Sequence, residues 1–226
     1  MKMTVSIAID GPAGAGKSTV AKKAAYLLGY TYIDTGSMYR ALTYLVLKNQ
    51  ADPEKEEEVL PFLQDLEIEW KQEEGENVIY INQHEAAAAI RTPEVTANVS
   101  AVSAHPIIRE RMVDKQRELA AAGCAVLDGR DIGTTVLPNA EVKIFMTASV
   151  EERARRRHEE NTAKGTASEL ETIQKEIAER DLRDSTRAVS PLIKADDALE
   201  LDTTNLSIDE AVEQILELVK ERVHES

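Results

Sequence analysis

The chain has 226 residues, 42% of them hydrophobic, and carries 41 acidic residues against 27 Lys and Arg, a formal net charge of −14. That length and apolar content suit one α/β domain with small subdomains. The charge argues against nonspecific nucleic-acid binding, which needs a basic surface, and no apolar run is long enough to span a bilayer. Cys124 is the only cysteine, so no internal disulfide can form, and a signal-peptide pattern is missing ahead of the first strand. The expectation is a cytoplasmic protein with one buried, inert thiol.

Residues 5–10 read as a buried strand and 19–28 as a helix. Between them Gly11, Pro12, Ala13, Gly14, Ala15, Gly16, Lys17, Ser18 and Thr19 fit G-x-x-x-x-G-K-[ST]. Such a turn points several backbone N–H groups at one spot, the helix N-terminus adds positive potential, and Lys17 supplies a mobile charge. It reads as a site for the phosphates of a nucleoside triphosphate, with the Ser18 hydroxyl placed for Mg2+. A glycine-rich turn that binds nothing is the plain alternative, and the strand-loop-helix context tells against it.

Residues 30–34 follow as a short strand and 37–49 as a helix. From 52 to about 88 the character changes. Residues 54–58 are an acidic block, read as a solvated helix face, while 66–70 and 78–81 alternate like antiparallel strands around a turn at Gly75. Thr92 and Pro93 start a helix, which Pro106 breaks before a second helix runs to 122. Residues 124–128 form a strand ending in an acid, and 142–146 form another. Three helices then open on capping boxes: Ser149 with Glu152, Ser168 with Glu171, and Ser207 with Glu210. A strand at 198–201 lies between the last two. The alternation of strand and helix argues for a parallel sheet flanked by helices.

An anionic protein that binds anions must invert its field locally, and the arginines are clustered. Arg153, Arg155, Arg156 and Arg157 share one helix, with Arg155 turned away from the other three. They read either as a lid that brings guanidinium groups to a transferring phosphate or as a solvated face paired with Glu151, Glu152, Glu159 and Glu160. Arg180, Arg183, Asp184 and Arg187 make a second stripe, either a phosphate site or a set of intrahelical salt bridges. Asp128-Gly-Arg130-Asp131-Ile-Gly133-Thr134 follows a strand, and Asp34-Thr35-Gly-Ser-Met-Tyr39-Arg40 follows another. Ligands of open α/β sheets sit beyond such strand ends. Arg109 lies in the helical segment between them. His84, His105, His158 and His224 fall outside every motif, so surface or packing roles are expected for all four.

These four motifs, in this order and across essentially the whole chain, resemble the bacterial cytidylate kinase family. The resemblance implies an α/β P-loop kinase fold: a central parallel sheet flanked by helices, a small antiparallel sheet inserted in a monophosphate-binding domain, and a helical lid. The core would be 1–35, 123–150 and 188–226, the monophosphate-binding region 36–105 with its insert at about 63–88, and the lid 151–168. It implies ATP and Mg2+ as cofactors, CMP and dCMP as acceptors, and a monomer without nucleic-acid or membrane partners. Residues 11–19 would bind ATP. Ser100, Arg109 and Asp131 would recognise cytosine. Asp34, Thr35, Arg40, Arg130 and Arg187 would hold the acceptor phosphate or its surroundings, and Arg180 and Asp184 the sugar. Lys17, Arg130, Arg153, Arg157 and Arg187 would carry the transfer.

The chemistry is consistent with that reading. A phosphate monoester with a second pKa of about 6 is largely dianionic at neutral pH and needs no base, only relief from repulsion between two polyanions. Three alternatives stay open. A kinase acting on a hydroxyl acceptor would want a base, and Asp34 or Asp131 could serve. A GTPase-type switch would carry an Asn-Lys-x-Asp motif, which is missing from the sequence. The third is nucleotide binding without catalysis.

Overall fold

The computed structural model describes residues 5–73, 76–163 and 165–225. In chain order the elements are β1 (Ile7–Asp10), α1 (Lys17–Leu28), β2 (Thr31–Asp34), α2 (Thr35–Lys48), α3 (Glu56–Gln64), β3 (Ile68–Glu73), β4 (Glu76–Ile81) and β5 (His84–Glu85). They continue with α4 (Pro93–Val102), α5 (Pro106–Ala120), β6 (Ala125–Gly129), β7 (Val142–Thr147), α6 (Val150–Ala163), α7 (Leu170–Thr186), β8 (Leu199–Asp202) and α8 (Ile208–Glu225). A 3-10 turn covers Ala89–Arg91 and a π turn Ile132–Val136. The chain forms two compact units, Met1–Asp34 with Gln116–Ser226, and Thr35–Lys115.

The first unit is built on a five-stranded sheet in the order β2-β6-β1-β7-β8, parallel throughout. Parallel strands covered on both faces read as unbroken apolar runs, and Ile7, Ala8, Ile9, Val126, Leu127, Val142, Ile144 and Met146 are accordingly buried. On one face α1 contributes Val20, Ala21, Ala24 and Ala25, and α8 contributes Ala211, Val212, Ile215 and Val219, to a single apolar cluster. The three-and-four spacing of those positions gives each helix one apolar stripe. Fully burying a side chain such as Ile9 contributes roughly 1.5–3 kcal/mol.

Both helices that follow motif-bearing strands start earlier than the sequence suggests. The left-handed Gly16 (φ 89°) is the N-cap of α1, so Lys17 and Ser18 already belong to the helix. At α2 the chain passes from β2 into helix at Thr35 with no loop. Of the three capping boxes one forms in full and one by half. Ser207 and Glu210 exchange hydrogen bonds in both directions. The Glu152 N–H donates to Ser149 Oγ at 3.1 Å, while its carboxylate is taken by Arg155 and Arg156. The Ser168 box does not form, because α7 starts at Leu170 after an extended Glu169, and Ser168 Oγ instead pairs with His158 Nδ1 at 3.0 Å. Cys124 is half-buried rather than buried. It sits at φ 50° in the turn before β6, where its carbonyl accepts the Thr31 N–H.

In the second unit α2 packs against α3 and α4. Pro93 and Pro106 each occupy the first position of a helix, where a missing N–H costs nothing. The inserted strands pair antiparallel, Ile68 opposite Ile81 and Trp70 opposite Ile79, as their alternation predicts. The expected turn at Gly75 lies outside the described residues. A third strand, β5, was not legible. It is only His84–Glu85, joined through Asn82 and Gln83 in left-handed conformation without the usual glycine. Among the described residues no helix is long and apolar enough to cross a membrane.

Candidate active site

The carboxyl ends of β1, β2 and β6 place Asp10, Asp34 and Asp128 at one edge of the sheet, with Asp34 and Asp128 side by side in the parallel register. The phosphate loop leaves β1 at Gly11, whose φ of 148° and position 2.0 Å (for an added Cβ) from the Met146 carbonyl oxygen admit no side chain. Lys17 Nζ donates to the Pro12 carbonyl at 2.8 Å, so the ammonium is folded back over its own loop. Burial and the nearby Arg130 guanidinium push that ammonium well below the usual lysine range.

Asp128 is the hub of this end. Ser18 Oγ donates to Asp128 Oδ2 and the Tyr32 hydroxyl to Oδ1, both at 2.8 Å. Burial and the neighbouring Asp34 carboxylate raise the Asp128 pKa, while Lys17 and the two hydroxyls oppose the rise. Ser18 and Asp128 form a hard oxygen donor pair beside the phosphate loop. That donor set fits Mg2+, which takes one or two protein oxygens and completes its shell with phosphates and water.

The arginines of the β6 loop and of α7 meet on buried carboxylates. Arg130 Nε donates to Asp184 Oδ2 at 2.9 Å, and Arg180 Nε lies 3.9 Å from the same oxygen. Arg187 Nη2 lies 3.7 Å from Asp131 Oδ1, and its Nε donates to the Ser190 carbonyl. Asp184 and Asp131 are buried. Burial alone would raise the Asp184 pKa, but Arg130 and Arg180 hold it below its ordinary value. Arg183 departs from the expected stripe: it faces solvent, and Arg187 lies just past the helix end in extended conformation.

On α6 the cluster divides by role. Arg153 is buried, with Nε on the Ala148 carbonyl, Nη1 on the phosphate-loop carbonyl of Ala13 and Nη2 on Asp181 of α7 at 2.7 Å. Arg156 joins Glu152 to the Thr203 carbonyl. Arg155 is exposed between Glu152 and Glu159, and Arg157 lies 3.4 Å from Glu160. The surface pairing read as the alternative to a lid is therefore present at Arg155 and Arg157.

The second unit holds the rest. Thr35 is buried in the first turn of α2. Arg40 Nη1 donates to Thr96 Oγ1 at 2.9 Å. Arg109 is buried, donates to the Ser103 carbonyl and stands over the Tyr39 ring at 5.4 Å. Ser100 is half-buried on α4 and its carbonyl accepts from Ser103 Oγ. Of the histidines, His105 pairs with the Pro53 carbonyl and His84 is exposed.

Asp10, Tyr32 and Asp181 escaped the sequence reading of the site, and Asp128 was read only as part of its motif, with no role of its own. Asp128 had a signal, an acid closing a buried strand just ahead of a glycine. Tyr32 and Asp181 had none, because their partners are distant in sequence. Asp10 accepts the backbone N–H groups of Ile132 and Gly133, each at 2.7 Å, and burial raises its carboxyl to about 6 against the pull of those two amides.

The family model described as cytidylate kinase matches residues 7–221. A cytidylate kinase of Bacillus cytotoxicus is 58% identical over 98% of both chains, and one of Anoxybacillus flavithermus 56% identical over 99% of both. A solved gluconokinase from Sinorhizobium meliloti 1021 matches with a TM-score of 0.50 at 14% identity, covering 99% of this chain and 97% of its own, a likeness of fold alone. With a family match across nearly its whole length and relatives more than half identical, the chain belongs to the cytidylate kinase family.

Proposed function

We propose that the chain transfers the terminal phosphoryl group of ATP to CMP, or to dCMP, giving ADP and CDP or dCDP. The observation that carries this reading is the joining, in one compact unit, of a phosphate loop with three arginines held on two buried carboxylates. Arg130 stands close enough to Lys17 to lower its pKa, so the two positive groups serve neighbouring anions. The acceptor phosphate arrives as a dianion, and no histidine base is required. Lys17, Arg130 and Arg187 offset the repulsion between donor and acceptor and hold the reacting oxygens in line. Ser18 and Asp128 are the residues that would hold Mg2+, which supplies further positive charge at the phosphates when bound.

On this reading Arg40 and Thr35 serve the acceptor phosphate, Arg180 and Asp184 the sugar, and Ser100, Arg109 and Asp131 the base. A carboxylate can accept from the N4 amino group of cytosine, whereas uracil offers an oxygen there. Residues 151–168 act as the lid. Arg157, half-buried and only loosely paired with Glu160, is the lid arginine that reaches phosphate; Arg153 braces the phosphate loop. The test is ADP formation measured with CMP, dCMP, UMP, AMP and small hydroxyl acceptors. A kcat/KM for CMP at least about tenfold above UMP is expected, since a polar mismatch leaves buried groups without partners. A hydroxyl compound as the best acceptor, or ADP formation independent of any acceptor, overturns the proposal.

A further inference from the structure

Asp10 ends β1 one residue before the phosphate loop, yet its side chain serves a different segment. Its carboxylate is almost completely buried, and each oxygen accepts one of two consecutive backbone N–H groups: Oδ1 from Ile132 and Oδ2 from Gly133, both at 2.7 Å. These amides directly follow Arg130 and Asp131. The approach is close, for a Cβ on Gly133 would sit 3.4 Å from Asp10 Oδ2 and 3.2 Å from Lys143 Cδ. The far side of the segment is also tied. The N–H groups of Thr135 and Val136 return to the Asp131 carbonyl, Arg117 donates to the carbonyls of Thr135 and Val136, and Lys143 donates to that of Pro138.

We propose that Asp10 is a positioning residue for acceptor recognition: its carboxylate clamps the backbone that presents Arg130 and Asp131. The inference rests on the reading of Arg130 and Asp131 as acceptor-binding residues. Two adjacent N–H donors converging on one anion form a nest that only an acceptor-only group satisfies. An aspartate satisfies both. An asparagine accepts one and turns its own NH2 on the other, so the segment shifts by one lost hydrogen bond. Side chains that must meet a ligand within a fraction of an ångström lose their aim from such a shift.

The experiment compares wild type, Asp10→Asn and Val219→Ala, the last a core truncation on α8 outside the site. KM for CMP, KM for ATP and the CMP-to-UMP ratio of kcat/KM are measured beside stability in urea. Asp10→Asn is expected to raise KM for CMP about tenfold, the scale of one charge-assisted hydrogen bond, and to lower the CMP-to-UMP ratio, with KM for ATP within about twofold. Val219→Ala is expected to lose stability with all three kinetic values unchanged. An Asp10→Asn enzyme that loses stability but keeps KM for CMP and the ratio overturns the proposal and leaves Asp10 a fold-stabilising residue. Should Asp10→Asn not fold, Gly133→Ala presses on the same contact with the charge retained and is expected to show the same split; an unchanged KM for CMP there also overturns it. A wild type without preference for CMP over UMP refutes the functional reading itself, a result distinct from either.

Discussion

Asp184→Asn separates charge from shape at the centre of the arginine cluster. Asn fills the same volume and can still accept from Arg130 Nε, now 2.9 Å from Asp184 Oδ2, but the negative charge shared with Arg180 is gone. Asp184 is buried and Arg130 mostly so, so solvent screens the pair only in part. A hydrogen bond to a charged group contributes about 1.5–3 kcal/mol, and breaking a buried ion pair costs about 3–5 kcal/mol. With one bond retained, the expected loss is about 2–4 kcal/mol, a large share of a typical ~5–15 kcal/mol. Because the folded-state pKa of Asp184 lies below its ordinary value of 3.8, its contribution is present above that value and disappears as pH falls through the folded-state pKa. Urea denaturation followed by far-UV circular dichroism at pH 7 measures the loss. A double-mutant cycle with Arg130→Gln then isolates the pair, with an expected coupling of about 1–3 kcal/mol. Additivity within about 0.5 kcal/mol refutes the argument, since the two groups would then be independent.

Two further outcomes follow from local geometry. Gly11→Ala drives a Cβ into the Met146 carbonyl oxygen on a backbone at φ 148° and should cost about 2–5 kcal/mol together with loss of ATP binding, whereas Gly29→Ala, at φ 69° with open space around it, should cost only about 1 kcal/mol; equal losses in urea melts would contradict the clash. Arg153→Ala should lose about 2–3 kcal/mol by leaving the half-buried Asp181 without its arginine, and Arg153→Lys should restore only part, since one ammonium cannot meet Ala13, Ala148 and Asp181 together. In the lysine variant KM for ATP should rise more than kcat falls; the reverse pattern, measured by steady-state kinetics, would return Arg153 to direct contact with the transferring phosphate.

Much of this protein could be read from order and period alone. The phosphate loop was legible because its glycines, Lys17 and Ser18 act through local backbone geometry, and the parallel sheet because buried strands must be unbroken apolar runs. The antiparallel pair around residues 68–81 was legible from its alternation. The tertiary structure decided what depends on residues far apart in sequence. It set Ser18 and Tyr32 on Asp128, gathered Arg130 and Arg180 on Asp184 while turning Arg183 to solvent, and drew the Ser168 hydroxyl to His158 instead of a helix cap. It also divided the arginines that share one face of α6, burying Arg153 against the loop and leaving Arg157 half-exposed beside Glu160. Identical guanidinium groups a few residues apart look equivalent in a sequence. Their work depends on which carboxylates and carbonyls the folded chain brings within hydrogen-bonding distance.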